Sequence, residues 1–133
     1  RLYMAEQIGG PDHEFIQLST ASPLRIFDLM NGAWQSLPFK PFREGVEISE
    51  IFAGSPVVAV LRYQPGASVP RHQHIGLETI VVLEGVQSDE HGDYPAGSVI
   101  LNPAGTAHSV WSTDGCVVLI QWQLPVQFLE GAE

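Results

Sequence analysis

Basic residues are scarce in this chain. Six lysines and arginines stand against fifteen aspartates and glutamates, which gives a net charge of −9 with neutral histidines, and Lys40 is the only lysine. Direct binding to a phosphate backbone needs clustered basic side chains, and attraction to an anionic membrane surface makes the same demand. We therefore expect neither nucleic acid nor membrane among the partners.

Cysteine and long apolar runs are scarce too. The single cysteine, Cys116, excludes an intramolecular disulfide and a zinc finger built on cysteines. No apolar run approaches the roughly 20 residues of a membrane span, and the first ten residues lack the apolar stretch of a signal peptide. We expect a cytoplasmic protein whose native start is missing, because the chain begins at Arg1. With 44% hydrophobic and 16% charged residues, 133 residues can form one domain with a real core.

Glycine and proline are distributed along the whole chain instead. Thirteen glycines and ten prolines separate short apolar runs, and a turn signal every 8–12 residues or so is typical of an all-β sandwich or barrel. Residues 57–61 are apolar on both faces, which predicts a strand buried inside the fold. The predicted strands are 46–52, 57–63, 68–71, 78–84, 98–101, 108–111 and 116–123.

The first 45 residues have a different pattern. Ser22 followed by proline resembles the start of a helix, which predicts a short helix over residues 23–30. Residues 34–42 combine aromatic side chains with two prolines, which indicates an irregular or edge strand. We predict that residues 1–44 form an N-terminal arm that packs on a β domain formed by residues 45–133.

The histidines suggest a metal site. His72 and His74 are two residues apart at the end of a predicted strand, so their side chains leave the same face. A predicted hairpin would bring Glu78 back beside them, and His108 follows thirty residues after Glu78. Three imidazoles and a carboxylate suit Zn²⁺, Fe²⁺, Mn²⁺, Ni²⁺ or Cu²⁺. An isolated His-x-His is more often a surface or core feature, so the surrounding residues decide the interpretation.

Those surrounding residues resemble the two motifs of the cupin superfamily. The first motif is matched by Gly66, five residues, His72-x-His74, three residues, Glu78, six residues and Gly85. The second is matched by Gly97, five residues, Pro103-x-Gly105, two residues and His108, with Ser112 where asparagine is usual. The resemblance implies a single jelly-roll β-barrel that holds one divalent metal ion per chain through His72, His74, Glu78 and His108.

A narrower resemblance is to the ChrR-type cupins, over about residues 45–123. It is carried by residues 62–67 (Arg-Tyr-Gln-Pro-Gly-Ala), 82–85 (Val-Leu-Glu-Gly), 89–97, 102–103 and 114–116. That family includes the zinc-binding C-terminal domain of anti-sigma factors. It also includes stand-alone cupins similar to dioxygenases of small diketones and aryl ketones.

The resemblance implies a homodimer and leaves two uses of the metal open. One is a zinc- or iron-dependent dioxygenase with a small-molecule ligand in the barrel, in which Glu78 has a catalytic role. The other is a non-catalytic zinc-binding sensor. Anti-sigma members carry a separate N-terminal zinc domain with two cysteines, and this chain has one cysteine. We therefore do not expect this chain alone to bind a sigma factor.

Some other residues carry weaker expectations. We expect His91 to lie in a solvated turn, His13 to have no role, and Cys116 to be buried and inert. Arg62 and Glu84 interrupt apolar strands, and they either pair or extend their charged ends into solvent at an edge, or they line the pocket.

Two further groups of side chains are candidates for the lining of the pocket. Gln121 and Gln123 share one face of a strand, which is either solvent or cavity. Phe42, Trp34 and Trp111 are expected to be core or dimer-interface aromatics.

Overall fold

The computed structural model describes residues 23–129, and they are almost entirely β-structure. The strands are β1 (Lys40–Arg43), β2 (Val46–Ala53), β3 (Val57–Tyr63), β4 (Ser68–Gln73), β5 (Glu78–Asp89), β6 (Gly92–Pro95), β7 (Val99–Asn102), β8 (Ala107–Trp111), β9 (Cys116–Trp122) and β10 (Gln127–Phe128). Two short 3₁₀ helices, Leu29–Asn31 and Ala33–Ser36, precede them. No helix within residues 23–129 has the length and apolar character to cross a bilayer.

The strands pair antiparallel in a curled sheet with the order β1-β2-β3-β9-β5-β8-β4-β10, and β6 and β7 also pair with β5. The first part of the twelve-residue β5 pairs with β7 and β9. Its last part pairs with β6 and β8. The strand thereby passes from one wall of the barrel to the other. This is the jelly-roll barrel that the sequence predicted.

The strand over residues 57–63 is confirmed with its predicted bounds. β3 lies between β2 and β9, and Ala59, Val60 and Leu61 are buried in succession. Because successive side chains of a strand point to opposite faces, both faces of β3 are covered. Ala59 and Leu61 join the cluster inside the barrel, and Val60 joins a second cluster on its outer surface.

The hairpin predicted between β4 and β5 is wrong. β4 pairs with β8 and β10, and it does not pair with β5. The backbone of His74 bonds instead to the turn before β8, since its N–H donates to Thr106 O at 2.8 Å and its carbonyl accepts from Gly105 N at 2.7 Å. The chain then crosses to the opposite wall before β5 begins. Glu78 therefore faces the histidines from the opposite wall of the barrel.

A strand was also missed after β5. The sequence predicted an end at residue 84, but β5 continues to Asp89 and pairs with β6. Gly85 makes this continuation possible, with a φ of 75° next to a β-bulge at Val82 to Glu84. A Cβ at Gly85 would lie 2.2 Å from Gly115 O, so no other residue fits without a shift of the backbone.

The helix predicted over residues 23–30 is wrong where the structure describes it, and its proposed cap Ser22 lies outside the described residues. Residues 23–28 have no regular structure, and Asp28 has a left-handed φ of 58°. Leu24 and Ile26 are half-buried while Arg25 and Phe27 are exposed. That alternation lets an extended segment pack every second side chain on the barrel, which overrides the local helix signal.

The irregular or edge strand predicted over residues 34–42 is confirmed only in its last three residues, where β1 pairs with β2 at the end of the sheet, while Ala33–Ser36 is a 3₁₀ helix. Before it, Trp34 and Leu37 are buried in the outer cluster, where they meet Val60 and Val117. The division into an arm of residues 1–44 and a domain of residues 45–133 stays a prediction.

Candidate metal centre

The structure brings all four predicted metal ligands together inside the barrel. His72, His74, Glu78 and His108 are buried, and one nitrogen or oxygen atom of each lies within 4.8 Å of those of the others. His72 on β4 lies directly opposite His108 on β8, with ring centroids 4.7 Å apart. The rings of His72 and His74 are 5.2 Å apart, so they do share a face.

Main-chain oxygens fix two of the imidazole rings. His72 Nδ1 lies 2.9 Å from the carbonyl oxygen of Pro70. His74 Nδ1 lies 3.0 Å from both the carbonyl oxygen and the hydroxyl of Thr106. Since a carbonyl only accepts hydrogen bonds, both Nδ1 atoms must carry the proton. In the neutral ring the Nε2 lone pair then faces the centre of the site.

A buried carboxylate fixes the third ring. His108 Nδ1 donates to Asp89 Oδ2 at 3.0 Å. Asp89 Oδ1 accepts from the Tyr94 hydroxyl at 2.6 Å and from the His91 backbone N–H at 2.8 Å. Burial opposes the charge of Asp89, but the bonds from Tyr94 and His108 outweigh it and hold the pKa of this carboxyl below its ordinary value. A carboxylate behind a histidine fixes the tautomer and makes Nε2 a stronger metal ligand.

Glu78 is held by the two strands beside it. Its Oε1 accepts from Asn102 Nδ2 on β7 at 3.0 Å, and its Oε2 accepts from Trp122 Nε1 on β9. Burial works to raise the pKa of Glu78, whereas the bond and positive charge that a protonated His74 would supply, and the bond from Trp122, lower it below its ordinary value. Both carboxylate oxygens accept from groups that only donate, which favours the ionised form and fixes its direction.

The centre of the site contains polar atoms that have no hydrogen-bond partner. His74 Nε2 and His108 Nε2 are both buried and make no hydrogen bond. Glu78 Oε1 lies 2.9 Å from the first, without the alignment that a hydrogen bond requires, and 3.8 Å from the second, which is too far for one. Lone pairs from nitrogen and from an anionic oxygen repel one another unless a cation lies between them.

The donor set fits such a cation. Burial lowers the pKa of His72, which keeps this imidazole neutral and able to act as a ligand. Three imidazole nitrogens and one carboxylate oxygen match zinc, iron, manganese or nickel in chemistry. The site could therefore hold a divalent ion without any change of residue.

The weaker expectations for histidine and cysteine agree with the structure where it describes them. His91 is exposed at the turn between β5 and β6, while His13 lies outside the described residues. Cys116 is buried in the cluster inside the barrel, and burial raises the pKa of its thiol to about 11. Its inertness stays a prediction.

Arg62 and Glu84 lie on the outside of the barrel rather than in the cavity, and each binds a different residue. The Arg62 guanidinium binds Glu47, with Nε 2.9 Å from Glu47 Oε1, and lies 4.3 Å from the centre of the Phe39 ring. Glu84 accepts from Trp34 Nε1 at 3.3 Å. The alternative in which these two charged residues line the pocket is therefore wrong.

The position of the aromatic and glutamine side chains is also decided. Gln121 and Gln123 face solvent, while Trp122 between them faces the cavity. Phe42 also lines the cavity, 6.2 Å from the Trp122 ring. Trp34 belongs to the outer cluster, as expected of a core aromatic, and Trp111 on β8 is half-buried.

Sequence reasoning missed the residues that orient the ligands. Asp89, Asn102 and Trp122 received no role, although the first two belong to the segments that carry the ChrR-type resemblance. Asp89 stands in an acidic run that reads as a solvated turn, and only the length of β5 places it behind His108. Thr106 could have been found from the second motif, because the turn before His108 clamps His74.

A cavity adjoins the site. The space that no protein atom fills is about 340 Å³, a figure that includes the part of the cavity open to solvent. The lining residues are mostly apolar: Phe42, Leu61, Tyr63, Val69, His72, Glu78, Ile80, Gln87, Val110, Ile120, Trp122, Val126 and Phe128. His72 and Glu78 thus connect the four-residue cluster to an apolar chamber.

Several known proteins are similar to this chain. It is 26% identical over 110 residues to the anti-sigma-E factor ChrR of Cereibacter sphaeroides, which covers 80% of this chain and 52% of that protein. The chain therefore spans about half the length of the curated relative that it matches. The structure of ChrR in complex with SigE from Rhodobacter sphaeroides is similar with a TM-score of 0.64, at 23% identity over 71% of this chain and 54% of that chain.

A second solved structure is similar over a larger share of both chains. An acetylacetone dioxygenase from Acinetobacter johnsonii has a TM-score of 0.69 at 17% identity, over 92% of this chain and 87% of that chain. At these identities the likeness to solved structures shows the fold alone. The sequence match is more specific, because residues 30–125 fit the ChrR cupin-like domain. The chain belongs to the ChrR cupin-like family.

Proposed function

We propose that this protein binds one divalent metal ion per chain through His72, His74, Glu78 and His108. The observation that carries the proposal is the pair of buried Nε2 atoms without a hydrogen-bond partner beside an ionised carboxylate. Leaving such groups buried without a partner costs about 1–3 kcal/mol each, and more when they are charged. A cation at their centre removes that cost. Zinc and iron are the ions we consider first.

The proposed activity is a metal-dependent dioxygenase acting on a small diketone or aryl ketone. The apolar chamber next to Glu78 supports it, because a purely structural metal site has no need of a cavity. The similarity to an acetylacetone dioxygenase over most of both chains also favours it. A bound metal would supply the Lewis-acid or redox chemistry that O₂ and the substrate need.

The protein's own residues have separate tasks in this proposal. The apolar walls exclude water from the reacting atoms. Trp122 and Asn102 hold the Glu78 carboxylate in place from either side. Glu78 can then accept a proton from the carbon between two carbonyl groups, which is acidic enough to be removed by a positioned base. Glu78 is thus the candidate catalytic residue.

The alternative is a non-catalytic sensory or regulatory zinc cupin. Membership of the ChrR cupin-like family and the similarity to an anti-sigma factor favour it. Four protein ligands that close the coordination of zinc would be typical of a structural site. Since this chain spans about half of that relative, binding of a sigma factor by this chain is itself a separate proposal. The homodimer stays a prediction, to be checked by light scattering.

Glu78→Gln distinguishes the two functions. A closed zinc site loses its only anionic ligand, so the substitution should strip most of the metal. A dioxygenase whose three histidines retain the ion should keep most of its metal and lose oxygen uptake. Metal content is measured by elemental analysis, and oxygen uptake by an electrode with a panel of small β-diketones and aryl ketones.

Glu84→Gln is the matched control, because Glu84 lies on the same strand and faces the outside of the barrel. It should leave both readouts unchanged. Retained metal with lost uptake supports the enzyme, while lost metal with no uptake in the parent supports the sensor. A dioxygenase transfers both atoms of O₂ to its substrate, so uptake must equal substrate loss. Oxygen uptake by a metal-free parent would contradict both proposals.

A further inference from the structure

The cavity contains a second polar site besides the proposed metal ligands. Tyr63 on β3 and Gln87 on β5 both line it. Tyr63 lies opposite Cys116 and Glu78 opposite Trp122, so the two polar places are six residues apart along β9. They therefore mark different ends of one chamber.

Both side chains of this second site have unused hydrogen-bonding capacity. Tyr63 is 4% and Gln87 is 3% exposed, which makes both nine-tenths or more buried. Their only hydrogen bond with described residues is a long one of 3.5 Å between Gln87 Nε2 and the Tyr63 hydroxyl. The Tyr63 hydroxyl proton, the Gln87 carbonyl oxygen and one N–H of the Gln87 amide are left over. If the amide is turned the other way, the pair still keeps at least one donor and one acceptor free.

We propose that Tyr63 and Gln87 form a subsite that binds the hydroxyl group of a small uncharged ligand. A hydroxyl group both donates and accepts, so it satisfies the two free positions at once. A carbonyl group satisfies one of them, and a hydrocarbon satisfies neither. Because the groups are buried, the unsatisfied position costs more there than in water.

The walls between the two ends restrict the rest of the ligand. Among the described residues that line the cavity, Glu78 is the only one with a charge at neutral pH apart from any protonated histidine. No lysine or arginine there could pair with a carboxylate or phosphate. The remaining walls are aliphatic and aromatic, and they leave little free room between them. The ligand is therefore compact and mainly apolar.

This subsite deepens the proposed function, since the ligand would lie between the subsite and the metal, but the binding itself does not require the metal. It is therefore tested on metal-free protein with three probes that share one ring: cyclopentanol, cyclopentanone and cyclopentane. Calorimetry on the full chain measures each dissociation constant. We expect cyclopentanol to bind most tightly and cyclopentane least, with steps of about five- to tenfold for each hydrogen bond.

Two substitutions test whether Tyr63 and Gln87 cause the preference for cyclopentanol. Tyr63→Phe and Gln87→Met keep the size of the side chain and remove its polar atoms. Each should reduce the affinity for cyclopentanol about five- to tenfold and leave cyclopentane unchanged. Gln121→Met is the matched control, because Gln121 faces solvent. It should not change the order of the three probes.

The outcomes separate this inference from the proposed function. Equal affinities of the parent for cyclopentanol and cyclopentane, or no binding of any probe, would overturn the subsite, and this needs no variant to fold. An unchanged preference in both Tyr63→Phe and Gln87→Met would also overturn it. Metal content measured separately on the parent tests the metal site. A parent that binds no metal and still prefers cyclopentanol would refute the metal proposal and support the subsite.

Discussion

The two faces of the β3-β9-β5 wall differ in whether the polar side chains at them have hydrogen-bond or ion-pair partners. On the outer face, Arg62 binds Glu47, and Trp34 donates to Glu84. On the inner face Glu78 is held in place, yet the histidine nitrogens next to it have no partner. These outer pairs are complete by themselves, although the buried Ser49 Oγ on the neighbouring strand β2 also lacks a partner, while the inner nitrogens are complete only with a cation added. This difference indicates that the inner face is the one that binds a ligand.

The largest expected effect is the loss of metal after removal of an inner ligand. His74→Ala should reduce the bound metal from about one ion per chain to a small fraction after dialysis, because the buried site then has three ligands and a void. His108→Ala should have the same effect. Elemental analysis of purified protein gives the measurement.

His91→Ala is the control for these two variants. It removes the same kind of side chain from an exposed turn and should leave one ion per chain. Full occupancy that persists in both His74→Ala and His108→Ala would refute the assignment of the ligands. Equal loss in all three variants would point to metal held non-specifically by histidine.

Removal of the metal should have the next largest effect. A ligand that binds only the native state stabilises it by ~4 kcal/mol at a thousandfold excess over Kd, so chelation should lower Tm. The unfolding transition should stay cooperative, because the apolar cluster inside the barrel does not depend on the site. Loss of all folded signal on chelation, measured by circular dichroism, would contradict this expectation.

The residues that could be predicted from the sequence are those whose spacing the motifs fix. The turn residues and the apolar runs predicted seven of the ten described strands, β2–β5 and β7–β9, and the cupin frame brought His72, His74, Glu78 and His108 into one group. The route was partly wrong, because Glu78 approaches from the opposite wall and not through a hairpin. The spacing of the motifs predicted that these four side chains meet, but it did not predict which strands pair.

Other features depend on contacts distant in the sequence. The 3₁₀ and extended structure before β1 follows from packing of Leu24 and Ile26 on the barrel, which no local pattern predicts. Asp89 and Trp122 support ligands 19 and 44 residues away. Their roles follow from register between strands, and register could not be read from one sequence.

Asp89→Asn should have a smaller effect than loss of a ligand. The amide can keep a bond to His108 Nδ1, but it loses the negative charge that strengthens Nε2 as a donor. Substitution of such a supporting residue typically weakens metal binding 10–100-fold. Competition with a chelator of known affinity measures the change.

Asp114→Asn, an exposed aspartate in the turn before β9, is the matched control for Asp89→Asn and should not change the affinity. If Asp89→Asn binds metal as tightly as the parent, the support of His108 by the carboxylate is refuted. The inner face would then depend on its four ligands alone.

The smallest expected effect belongs to the outer face. Arg62→Met removes the ion pair with Glu47 and the contact with Phe39 while it keeps the length of the side chain. Side chains of this pair are 31% and 35% exposed, so the pair should contribute less than about 1 kcal/mol, with a similar contribution from the aromatic contact. We expect urea unfolding to show a loss of about 1 kcal/mol, no change in metal content, and a double-mutant cycle with Glu47→Gln that assigns only part of that loss to the ion pair. A fall in metal content would mean that the two faces are coupled through β3, and the contrast between a complete outer face and an incomplete inner face would fail.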